Sequence, residues 1–110
     1  MKNIYEVKIT KQAQEHIRDI FDYIVNELLA TGAANNLMDK MHKTIASLNQ
    51  NPKRFQLIDE EPWKNMGIRK VVVNHFLVYY WIDEENMKVQ IIAVMSERRD
   101  QLNELSKISF

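Results

Sequence analysis

The sequence has 110 residues, 15 Lys and Arg against 15 Asp and Glu for a formal net charge of zero, and 45% apolar residues. A chain this short supports one hydrophobic core, so a single domain over residues 1–110 is expected, and with two glycines and two prolines it is not a low-complexity chain. The even charge weighs against a dedicated nucleic-acid binder without excluding a local basic patch, and the lack of cysteine excludes a disulfide framework, a thiolate metal site and a cysteine nucleophile.

The opening residues are too polar for a signal-peptide core, and no apolar run approaches the ~20 residues of a membrane span. A cytoplasmic protein without membrane contact is therefore expected. Tyr5, Val7 and Ile9 alternate with Glu6 and Lys8, which predicts a half-buried strand. Thr10 is a suitable N-cap for the segment that follows. From Lys11 to about Leu29, Ala13, Ile17, Ile20, Phe21, Ile24, Val25 and Leu28 form one stripe at helical spacing. Thr31 and Gly32 are expected to break this helix. A second stripe, Ala34, Leu37, Met38, Met41, Ile45 and Leu48, ends at Asn51-Pro52, where proline blocks continuation. The short link predicts an antiparallel helical hairpin.

Beyond Pro52 the pattern is that of β structure. Arg54 to Ile58 reads as a short strand, and Asp59, Glu60, Glu61 and Pro62 as an acidic, solvated loop. Ile68–Val73, Phe76–Asp83 and Met87–Val94 are rich in Val, Ile and aromatics and predict three successive strands. Asn74-His75 is read as a two-residue turn, since Asn tolerates positive φ. That turn would set Arg69 opposite Tyr80 on one sheet face and Lys70 opposite Tyr79 on the other. Asp83 to Asn86 forms the next polar turn, and a short C-terminal helix is expected from Arg98 to Lys107. The expected fold class is α+β: an N-terminal strand, a helical hairpin, then an antiparallel sheet of three to four strands. Which sheet face meets the helices stays open, because Ile68, Val72 and Leu77 compete with Val71, Val73 and Val78.

Several phrases resemble the RelE/ParE toxin superfamily of type II toxin–antitoxin systems. They are Tyr5-x-Val7-x-Ile9-Thr10 with Ala13, Asp19-Ile20-x-x-Tyr23-Ile24, Leu48-x-x-x-Pro52-x-Arg54 and Gly67-Ile68-Arg69-Lys70. Val78-x-Tyr80-x-Ile82-Asp83 and Val89-x-Ile91-x-x-Val94 follow, with Arg98-Arg99-Asp100 after them. The resemblance runs from residue 5 to residue 100 in the family's order. It implies a cytoplasmic toxin that arrests growth, a part in plasmid stabilization, and a cognate antitoxin as partner.

Two targets compete within the superfamily. ParE-like members inhibit DNA gyrase by binding, whereas RelE-like members cut mRNA on the ribosome, and a shared fold does not separate them. RNA cleavage needs a base, an acid and cations around the phosphate. By resemblance Arg69, Arg98 and Arg99 would be those cations in a nuclease. Arg54, Arg69, Lys70, Arg98 and Arg99 would be target-binding residues in either case, with Lys53 adding charge. The chain departs from the nuclease pattern where Ser96 and Glu97 stand in place of a His, so the reading leans toward inhibition of gyrase. Under it Arg69→Ala is expected to leave the fold intact while weakening an interface. A third alternative is a non-toxic module that only binds antitoxin.

Other residues have simpler explanations. Tyr79, Tyr80 and Trp81 read as sheet packing rather than a base-stacking platform. His16 and His42 should be solvated on helix flanks, and His16, His42 and His75 lack zinc-site spacing, so no metal or cofactor is expected. Met38 and Met41 read as core filler.

Overall fold

A computed structural model of the chain describes residues 4–97. Strand β1 (Glu6–Ile9) leads into helix α1 (Lys11–Asn26), helix α2 (Thr31–Ser47), a 3-10 turn (Pro52–Arg54) and strands β2 (Ile68–Val73), β3 (Phe76–Asp83) and β4 (Lys88–Ser96). The α+β class and the order of elements are as expected. The expected helix from Arg98 to Lys107 lies outside the described residues.

Thr10 caps α1 as its sequence position suggests, its hydroxyl accepting the Ala13 N–H at 3.3 Å. The same hydroxyl donates to the Ile91 carbonyl at 2.9 Å, and Thr10 N–H reaches that carbonyl at 3.0 Å. One residue thus ends β1, starts α1 and ties both to β4. The helix break differs from the expected one. Thr31 and Gly32 open α2, and the chain turns at Leu29, which has a φ of 51°. An N–H bond from Ala30 back to Ile24 O (3.1 Å) closes the turn. Leucine carries no local signal for a left-handed residue, so the sequence pattern extends the helix past its observed end at Asn26.

The sheet order is β1-β4-β3-β2. Strands β2, β3 and β4 make an antiparallel meander, and β1 adds to β4 in parallel, so the four-stranded sheet is mixed. The parallel pairing follows from the crossover, since both helices lie between β1 and the meander. Arg54–Ile58 does not form a strand. Its first residue belongs to the 3-10 turn, and only Leu57 bridges β2, at Arg69. Gly67 precedes β2 at a φ of 77°, a conformation that suits glycine, with its α-carbon side against the Trp81 ring.

The question of the buried face is settled by two apolar layers. Val71, Val73, Val78, Tyr80, Val89, Ile91 and Val94 face the helices, where they meet Ala13, Ile17, Leu37, Met41, Ile45 and Leu48. On the other face Ile68, Leu77, Tyr79, Ile92, Ala93 and Met95 form a smaller cluster with Ile58 and Trp63 of the acidic loop region. Val72 stays 55% exposed. A bulge opposite Tyr79 and Tyr80 sets Ile92 and Ala93 side by side on the outer face and returns Val94 to the helix side. Tyr79 and Tyr80 are buried on opposite faces, which fits packing rather than stacking.

His16 differs from the expected solvated residue. It is half-buried, and its Nδ1 accepts the Val94 N–H at 3.2 Å. Strand β1 stops at Ile9, so beyond Ile91 the edge of β4 meets α1 instead of a strand. Among the described residues no helix is long and apolar enough to cross a membrane.

Candidate functional site

The turn at Asn74-His75 forms as expected, with Asn74 at a φ of 55°, and it fixes the strand register. Arg69 pairs with Tyr80 and Lys70 with Tyr79. Odd positions of β2 face the helices, so Arg69 shares a face with Val71 and Val73, while Lys70 lies on the outer face.

Arg69 reaches back over the segment after α2. Its Nη1 donates to the carbonyls of Lys53 (3.2 Å) and Phe55 (2.6 Å). Arg54 holds the other side of the same segment. Its Nη1 donates to the carbonyls of Gln50 (2.7 Å) and Asn51 (3.1 Å), and Nη2 to the Ser47 hydroxyl (2.8 Å). That guanidinium supplies donors to carbonyls left open where α2 ends and suits the negative end of its dipole. It also lies 4.6 Å from the centre of the Phe55 ring. The Tyr80 hydroxyl donates to the Pro52 carbonyl at 2.6 Å from a fully buried position. Burial pushes the Tyr80 phenol up to about 12, against a smaller opposing pull from Arg69 and Arg54. Asn51 takes a left-handed φ of 49° within this scaffold.

Lys53 is the cation of the group that pairs with a carboxylate instead of backbone carbonyls. Its Nζ stands 2.9 Å from Glu84 Oε1, with the lysine side chain 61% exposed. The Tyr5 hydroxyl donates to the other Glu84 oxygen at 2.8 Å. Hydrogen bonding to Lys53, then to Tyr5, holds the Glu84 carboxyl below its usual range, and the bond to Glu84 raises the Lys53 ammonium above its own. Tyr5 is raised chiefly because its hydroxyl bonds to the Glu84 carboxylate.

Of the residues expected to act together, Arg54 and Arg69 converge on the Lys53 turn. Lys70 lies on the opposite face of β2, and Arg98 and Arg99 fall outside the described residues. His75 stands at the far end of β2, 3.0 Å from Glu97, away from Arg54 and Arg69. The Tyr5–Glu84–Lys53 chain had no signal in the sequence, because Tyr5 and Glu84 are 79 positions apart. Tyr80 was legible as the partner of Arg69 in the register, although its bond to Pro52 was not.

The two guanidinium groups hydrogen-bond to backbone carbonyls and one hydroxyl. Glu84, with its lowered pKa and two partners, is a weak base, and the Tyr80 phenol is buried and bonded. Among the described residues the cluster therefore has the form of a scaffold that shapes a turn, with Lys53 held in an ion pair at its surface.

The model of the ParE toxin of the type II toxin–antitoxin system parDE matches residues 7–101. A solved structure of the chromosomal ParDE system from P. aeruginosa aligns with a TM-score of 0.69 at 18% identity, over 86% of this chain and 97% of that one. The E. coli RelE toxin in its free state, as a mutant, aligns at 0.61 and 12% identity over 92% of each chain. A RelBE toxin–antitoxin complex from Mycobacterium tuberculosis aligns at 0.56 and 17% identity, over 84% of this chain and 98% of that one. These likenesses show the fold. No curated protein matches the sequence. By the span of the family match, the chain belongs to the ParE toxins of type II toxin–antitoxin systems, within the RelE/ParE superfamily.

Proposed function

We propose that this ParE-family chain acts in the cytoplasm as a single toxin domain that arrests growth by binding a macromolecular target, with DNA gyrase as that target. A cognate antitoxin holds it inactive. The observation that carries the reading is the commitment of Arg54 and Arg69 to carbonyls of residues 50–55. Cations fixed on the backbone are poorly placed to stabilise a charged transition state, which needs donors aimed at the reacting oxygen. Lys53 is bound by Glu84, whose negative charge opposes the approach of phosphate.

The test is to induce the protein alone and follow labelled thymidine and labelled amino acids over the first minutes. DNA synthesis falling first supports gyrase, and protein synthesis falling first removes it. Convergence of Lys53, Arg54 and Arg69 on one turn beside Tyr80 supports the second reading, a ribosome-dependent mRNA interferase. Cleavage in the decoding site of programmed ribosomes by purified protein would establish that alternative.

A further inference from the structure

The tip of the helical hairpin breaks three local rules at once. Leu29 is 84% exposed and Leu28 and Tyr23 are each 57% exposed, although apolar side chains of this size favour burial. Leu29 adopts a φ of 51°, where a leucine side chain crowds the backbone and glycine or asparagine would not. The last turns of α1 are acidic, with no basic residue in the final turn, so carboxylates sit at the negative end of the helix dipole. Asp19, Asp22, Tyr23, Asn26 and Glu27 fall at helical spacing on one exposed face that runs into the leucines. Arg18, one turn before Asp22, is the nearest cation along that helix.

We infer that this tip is the surface with which the toxin docks on its target, and that it takes a basic protein segment carrying an apolar anchor. The proposal rests on the reading that the toxin acts by binding. Charge complementarity identifies the occupant. Asp19, Asp22 and Glu27 surround an exposed tyrosine and lead to two exposed leucines, so Lys or Arg side chains meet the carboxylates while an apolar group covers Leu28 and Leu29. An acidic surface repels a second copy of itself and repels nucleic acid. The overall neutrality of the chain makes this a local feature, because other regions supply the balancing cations. Local rules that fail together without a packing gain mark a surface kept for a partner.

The variants follow from the same strain. Leu29→Gly removes the left-handed conflict, and the pair Asp22→Lys with Glu27→Lys puts favourable charge at the end of α1. Each is expected to melt no lower than the wild type, yet to weaken growth arrest about tenfold or more, as loss of an interface anchor does. Both should still form the complex with the antitoxin. Undiminished arrest overturns the proposal. Unchanged arrest with lost neutralisation also overturns it and gives the tip to the antitoxin. Loss of both functions counts against it as general damage, and a wild type that arrests nothing sinks it together with the functional reading. Labelling of the wild type separates the two ideas: if protein synthesis falls first while the variants lose arrest, gyrase falls as the target and the docking surface stands.

Discussion

Tyr80 and Arg69 face each other across β2 and β3 and reach the same turn from one side, which makes that turn the most constrained backbone near the site. Tyr80→Phe would leave the buried Pro52 carbonyl without its donor, a loss of about 1–3 kcal/mol in urea unfolding. Arg69→Ala removes two bonds to the turn and should cost a similar ~1–3 kcal/mol, so the intact fold expected for this variant under the gyrase reading should come with lowered stability. The two losses should add to less than their sum, because both act on one segment. The phenol also sets an alkaline limit. A group that holds its proton more tightly when folded stabilises the fold below its ordinary value and stops doing so as pH rises through the native one. For Tyr80 that decline runs from pH 10.0 to about 12. A urea midpoint followed across this range should fall in the wild type and fall less in Tyr80→Phe.

Thr10 carries an unusual share of the join between β1 and α1. Its hydroxyl caps the helix and donates to Ile91, so Thr10→Ala is expected to cost about 1–2 kcal/mol, at the upper end for a lost cap. Differential scanning calorimetry would read it as a lowered melting temperature without loss of the β-sheet signal in circular dichroism. This cap was legible from the residue type and its place before a periodic segment. The register of β2 on β3 was legible too, because a two-residue turn at Asn74 leaves a single pairing. The end of α1 was not. Its position depends on Leu29 taking a conformation that leucine avoids, and apolar periodicity continued past it to Leu28. The parallel pairing of β1 with β4 was not legible either, since it depends on where two helices return the chain. Arg54 to Ile58 carried apolar alternation but only one bridge's worth of partner, so its composition suggested more strand than the sheet edge accommodates. For the site, the arginines could be named from the sequence, whereas their attachment to carbonyls arises from a loop path that no spacing encodes.

The molecule is clasped where its beginning meets its later turns. Tyr5 enters just before β1, Glu84 lies in the turn between β3 and β4, and Lys53 follows α2, yet their side chains form one chain of contacts. Glu84 is lowered in the fold, so its contribution is present above the ordinary carboxylate value and is lost as pH falls through the lower native one. Lys53 is raised, so its contribution holds below the ordinary lysine value and is lost as pH rises through the higher native one. The clasp is therefore complete across the neutral range and opens at both extremes. Glu84→Gln keeps an acceptor of similar shape but removes the charge. Its urea midpoint should be lower than the wild type's at pH 7, and the gap should narrow as pH drops below the ordinary value of 4.5. Glu6 is lowered by Lys8 in the same direction, so some acid sensitivity should persist in the variant. A gap that stays constant from neutral pH to strong acid would mean that the Glu84 charge contributes nothing and that the loss comes from the poorer fit of the amide to Tyr5 and Lys53. The Lys53 turn is also held by Arg54, Arg69 and Tyr80, so opening the clasp should free the Lys53 side chain while the backbone of the turn keeps its path. The Lys53 amine should therefore react faster with an acylating reagent in Glu84→Gln at neutral pH, with the β-sheet signal unchanged.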